Sequence, residues 1–190
     1  MTEEEWLTSE DPFALIGAVD PVSQRKGKLF VVGCCRQAQT VFQNRLNRKA
    51  ILAIESNADG EITDEELHAC RGSGKWGYKL AATCSAKPPT PMFVIVTNHL
   101  FEDRTIQCSL LRDLFNNPFR PVAFDPNWRT SDVVSIARAM YESRDFSPMP
   151  ILADALQDAG CEHADILDQC RGTGPHVRGC WVVDLVLGKA

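Results

Sequence analysis

Cys161, His163, Cys170, His176 and Cys180 fall within twenty residues of one another. Thiols and imidazoles are the side chains that hold zinc, and a thiol beside a base can also act as a nucleophile. A helix from Pro175 to Leu187 puts His176 and Cys180, four apart, on one face. Cys161 and Cys170 flank the helix before it and complete a tetrahedral set, so Cys161, Cys170, His176 and Cys180 form the candidate zinc site. The competing reading is that the three cysteines pack as small hydrophobes while His176 makes a local hydrogen bond. A nucleophilic Cys180 with His176 as base needs a third group to orient the imidazole. Asp184 lies on the same helix face, but it sits about 12 Å of helix rise from His176, too far to serve. Asp184 in an otherwise apolar stretch also demands a cationic partner, such as Arg120, Arg138 or Arg178.

Two other patterns imitate binding sites. Glu55 to Glu66 follows much of the twelve-residue calcium-loop spacing, with Asn57, Asp59, Gly60, Ile62 and Glu66 in place. Its first position is Glu rather than the shorter Asp, and the related stretch 155–166 lacks the acidic ligands. The CRGSG and CRGTG segments offer glycine amides beside an arginine, which is the composition of an anion nest. Helix C-caps explain them equally well, since glycine tolerates the left-handed conformation.

The elements that must carry these residues read as mostly α. Thr2 ahead of Glu3, Glu4 and Glu5 is a capped helix start, and Pro12 and Pro21 bracket a short apolar piece. Residues 23–43 form a mostly apolar helix, although Leu29–Val32 also satisfies a strand. Residues 47–57 make a helix with Ile51, Leu52 and Ile54 inward, and Thr63 with Glu66 forms a capping box for the next one. Glycines and prolines make 72–91 an irregular loop, and MFVIVT at 92–97 is a possible short strand. Helices follow at 105–115, 132–144, 151–159 and 162–171. The last, 175–187, is stopped by Gly188, with a strand over 181–187 as its alternative. The expected fold is a compact domain over 1–190, built from packed helical hairpins.

Residues 51–74 and 151–174 echo one another at an offset of one hundred. They share Ile, Leu and Ala at the start, glycine at 60 and 160, and Leu, Cys, Arg and two glycines at the end. This predicts a helix, a turn on Gly60 or Gly160, a second helix, and a glycine cap at Gly72 or Gly172. A hairpin cannot bury its apolar face alone, so two copies imply stacking.

Charge is arranged in blocks. Residues 1–20 hold six acids and no base, 21–50 hold seven Lys and Arg and no acid, and 51–70 hold six acids. The basic block would suit phosphate contacts, but its acidic neighbours can neutralise it, so nucleic acid is not the expected partner. The overall formal charge is −5, and the eight cysteines include no C-x-x-C pair. No apolar run reaches the ~20 residues that span a bilayer. With no export signal at the start, the reading is a cytoplasmic protein with reduced thiols.

The segments NPFRPVAFDPNWRTSDVVSIARAMYESRDFSPMPILADALQDAGC and CRGTGPHVRGCWVVDLVLGK resemble a large paralogous family of small proteins and fused domains from planctomycete bacteria. MTEEEWL and residues 24–66 extend the likeness. Between 75 and 105, where that family is alanine-rich and helical, this chain has the proline loop and MFVIVT. The resemblance implies a bacterial, intracellular, single-domain protein, and it carries no catalytic or cofactor-binding residue. Together these features point to a non-catalytic module that binds or regulates another protein, with no cofactor and no membrane partner. The alternatives are a zinc-stabilised domain using the C-terminal cluster, or an enzyme of unrecognised type.

Overall fold

A computed structural model describes residues 1–19, 21–37, 45–70 and 103–189. The described residues form ten α-helices and one 3-10 turn, with no strand. The loop read over 72–91 and the strand read at 92–97 lie outside them. Packing divides the chain into two compact units, Met1–Leu111 and Arg112–Ala190. None of the described helices is long and apolar enough to cross a membrane.

In the first unit, α1 (Glu3–Thr8) is capped by Thr2 as expected, and the cap is a full capping box: Glu5 N–H donates to the Thr2 hydroxyl, and Thr2 N–H donates to the Glu5 carboxylate. α2 (Pro12–Ala18) starts on Asp11, with proline in the first turn where its missing N–H costs nothing. α3 (Gln24–Gln37) is buried at every position from Gly27 to Cys35. The 29–32 run is therefore helix. A helix apolar on all sides belongs at the centre of its unit, where β-branched residues meet neighbours in every direction.

α3 packs against α4 (Arg45–Ala58), which turns back into α5 (Asp64–Ala69). Ile51 and Ile54 of α4 are fully buried, but Leu52 points outward at 38% exposure, correcting its inward placement. The basic and acidic blocks meet here. Arg25 pairs with Asp59 at 3.1 Å, Arg36 with Glu55 at 3.1 Å and Lys28 with Asp64 at 3.5 Å. Lys28 also donates to the Asn57 side chain, whose amide donates to the Ile62 carbonyl. The oxygens that would ligate calcium are thus held by the protein's own cations and amides. A buried Glu55 needs such a partner, because an unpaired charge in the interior is costly.

α6 (Arg104–Phe115) delivers Asp113, a residue of the second unit, in its last turn. In the second unit, a proline-punctuated connector with the 3-10 turn Pro126–Trp128 leads to α7 (Ser131–Ser143). Then come α8 (Met149–Asp158), α9 (Ala164–Arg171) and α10 (Trp181–Leu187). α8 packs on α9, and α7 on both α8 and α10. Their core comprises Val133, Ala137, Met140, Leu152, Leu156, Ile166 and the α10 residues Trp181, Val182, Val183 and Val186. The run 181–187 is helix, with the strand alternative set aside.

Both hairpins of the sequence echo close with the same turn. Gly60 lies at φ +74 and Gly160 at φ +89. The N–H of each reaches back three residues, Gly60 to Asn57 and Gly160 to Gln157. The next N–H reaches back five, Glu61 to Ser56 and Cys161 to Leu156. This is the Schellman pattern, which uses up carbonyls that a helix end leaves bare.

The second glycine does not behave as expected. Gly172 caps α9 at φ −64 and ψ 153, an extended conformation open to any residue. A Cβ there would lie 3.3 Å from the Asp168 carbonyl and 3.4 Å from that of Gln169. Close approach, rather than a left-handed cap, is what glycine provides at this position.

Candidate functional site

The chemistry-bearing residues of the second unit converge on one carboxylate. Asp113 is 3% exposed and accepts three hydrogen bonds. Its Oδ1 lies 2.7 Å from His176 Nδ1 and accepts from Gln169 Nε2 at 2.8 Å. Its Oδ2 accepts from the Val177 N–H at 3.1 Å. Cys180 is fully buried, and its sulfur, one His176 nitrogen and one Asp113 oxygen all lie within 4.8 Å of one another.

His176 and Cys180 do come together, but not by the predicted route. Residues 175–179 are not helical, and α10 begins only at Trp181, with Cys180 as its cap. Two features account for this: Asp113, from α6, anchors the Val177 N–H, and Gly179 sits at φ +92, outside helical space. Arg178 leaves the segment to donate through Nε to the Tyr141 carbonyl at 3.0 Å, with its guanidinium 4.3 Å over the Tyr141 ring. The Cys180 N–H then closes a tight turn on the Val177 carbonyl at 2.9 Å.

Of the four predicted ligands, His176 and Cys180 belong to the cluster. Cys161, just after the Gly160 turn, and Cys170, on α9, are both buried and lie outside that 4.8 Å group. Cys170 still interacts electrostatically with Asp113 and Cys180, and with Cys161. Asp113 is the residue the sequence reading missed. A signal was present: Leu110, Asp113 and Leu114 stand at i, i+3 and i+4, all buried, so a carboxylate occupies the apolar stripe of α6.

The electrostatics oppose a nucleophilic thiol. Burial pushes the Cys180 thiol well above its ordinary value, and the Asp113 charge pushes it further. Burial, with the charges of Cys161 and Asp113, raises Cys170 to about 12, against a smaller opposing effect of Arg171. Burial likewise raises Cys161. Thiolate is the reactive form, so these shifts work against a nucleophilic Cys180.

The imidazole is balanced differently. Burial works against its charged form, but the Asp113 hydrogen bond and charge, helped by the Gly172 carbonyl, outweigh that and raise its pKa. His176 Nε2 is nevertheless buried without a hydrogen-bond partner, so Gly172 acts on the ring through its dipole rather than a formed bond.

The nest reading loses its arginine at CRGTG, while CRGSG extends outside the described residues. Arg171 turns back to α8, reaching Asp154 at 3.3 Å and Gln157 at 2.8 Å, and so braces the hairpin.

Comparison of the chain with family models, with curated proteins and with solved structures gives no match.

Proposed function

We propose that the protein is a non-catalytic helical module that binds another protein. The observation that carries this reading is the outward branched aliphatic on the first helix of each hairpin. Leu52 on α4 is 38% exposed, and Ile151 in the first turn of α8 is 59% exposed. The neighbours of Ile151 show that its exposure is not a packing accident. Met149, Leu152, Ala153 and Leu156 already complete the buried stripe of α8, so the core has no use for Ile151. A lone exposed aliphatic is ordinary; one held outward on each of two related hairpins supports a recognition role.

The test is affinity capture from the protein's own cells with wild type and Ile151→Glu, each verified as folded by circular dichroism. A protein enriched by wild type and lost with the variant is the expected result. Equal enrichment by both, or a small molecule co-purifying one-to-one with no protein enriched, overturns the reading.

A further inference from the structure

We propose that Asp113, His176 and Cys180 bind a zinc ion that clamps the second unit. A carboxylate oxygen, an imidazole nitrogen and a sulfur lie within 4.8 Å of one another, contributed by α6 and by the 172–180 segment. The mixture selects the metal. Calcium and magnesium take oxygen ligands, and copper(I) favours sulfur-rich sites, whereas zinc accepts O, N and S together.

For the carboxylate and the imidazole the spacing needs only a small adjustment. Two ligands ~2.0 Å from a tetrahedral zinc stand ~3.3 Å apart. Asp113 and His176 are 2.7 Å apart, so side-chain rotations of a few tenths of an ångström admit the ion. Cys170, buried on α9 and next in the chain to Gln169, whose amide reaches Asp113, is the further donor that closes the tetrahedron.

Loading exchanges protons for metal: each ligating thiol gives its S–H proton to water, and the ring keeps one proton on the nitrogen that zinc does not hold. With every donor buried, this is a closed structural site rather than one with an open position for substrate. The proposal does not rest on the protein-binding reading.

The full chain, stripped with a chelator, is titrated with Zn(II) and separately with Co(II). The expected results are one zinc per chain and a Co(II) complex with intense tetrahedral visible bands and a thiolate-to-cobalt charge-transfer band. Losing an outer partner of a metal ligand already costs ~10–100-fold in affinity, so Asp113→Asn weakens zinc at least ~10-fold. Cys180→Ser reduces the charge-transfer band, and Cys161→Ser leaves both readouts unchanged. The wild-type cobalt spectrum is independent of whether any variant folds. A weak octahedral spectrum without charge transfer overturns the proposal, as does zinc binding indifferent to Asp113→Asn or abolished by Cys161→Ser.

Discussion

Replacing Asp113 by alanine removes the acceptor on which three donors converge: the His176 imidazole, the Gln169 amide and the Val177 N–H. Each orphaned donor costs ~1–3 kcal/mol, because its hydrogen bond to water is not recovered. The simple sum is ~3–9 kcal/mol, but the donors share one site and relax together, so the terms do not add. Breaking a buried charged pair from one side costs ~3–5 kcal/mol, and that is the loss expected here. Asp113→Asn keeps one carbonyl oxygen for His176 and Gln169 and turns an amide toward the Val177 N–H, so it loses only ~1–3 kcal/mol. Urea unfolding followed by circular dichroism, with chelator present throughout, measures both changes without any contribution from metal. Gln169→Leu supplies a double-mutant cycle, with an expected coupling to Asp113 of at least ~0.5 kcal/mol. An Asp113→Ala protein within ~1 kcal/mol of wild type, or strict additivity with Gln169→Leu, would refute the idea that this carboxylate organises the centre.

Trp181 is 6% exposed in the α10 core, so Trp181→Ala should cost ~3–5 kcal/mol, and thermal melting within a few degrees of wild type would show the helix to be peripheral. Gly160→Ala meets no steric obstacle, yet φ +89 alone should cost ~1–2 kcal/mol, with a similar loss at Gly60; unchanged denaturation midpoints would contradict the turn geometry. Among the described cysteines, Cys70 alone is partly exposed, so native-state alkylation read by mass spectrometry should modify it first and leave Cys34 and Cys180 for last. Burial holds both of those thiols protonated well into the alkaline range, and labelling of Cys180 as fast as Cys70 would mean that the polar centre is open.

Local chemistry was readable in the sequence wherever neighbours along the chain decide it. Thr2 with Glu5, Thr63 with Glu66, and the glycines at 60 and 160 announced their caps and turns, because each satisfies backbone groups a few residues away. Charge blocks also read correctly, since the packing of α3 on α4 brings Arg36 to Glu55 and Arg25 to Asp59. What failed depended on distant partners. Residues 175–179 carry a helical pattern, but a carboxylate 64 residues earlier claims the Val177 amide. Leu52 and Ile151 show the same limit. The Ile-Leu-Ala triplet that opens both echoes is rotated between them, burying Ile51 and Leu152 while exposing Leu52 and Ile151. Identity along the sequence preserved the turn and not the face.

The sequence separation of the Asp113 contacts bears on the order in which the second unit folds. The α8–α9 hairpin closes through bonds spanning three to five residues, whereas Asp113 and His176 are 63 apart. Closing a flexible loop costs roughly (3/2)RT ln n beyond a constant, which for that span is about 3.7 kcal/mol. Nothing local compensates before the contact forms. The hairpin therefore nucleates first, on the microsecond scale of local turns and helices, and the carboxylate docks late onto a surface that α9 has already arranged. In kinetic terms, substitutions at Gly160 should slow refolding, while those at Asp113 should chiefly accelerate unfolding.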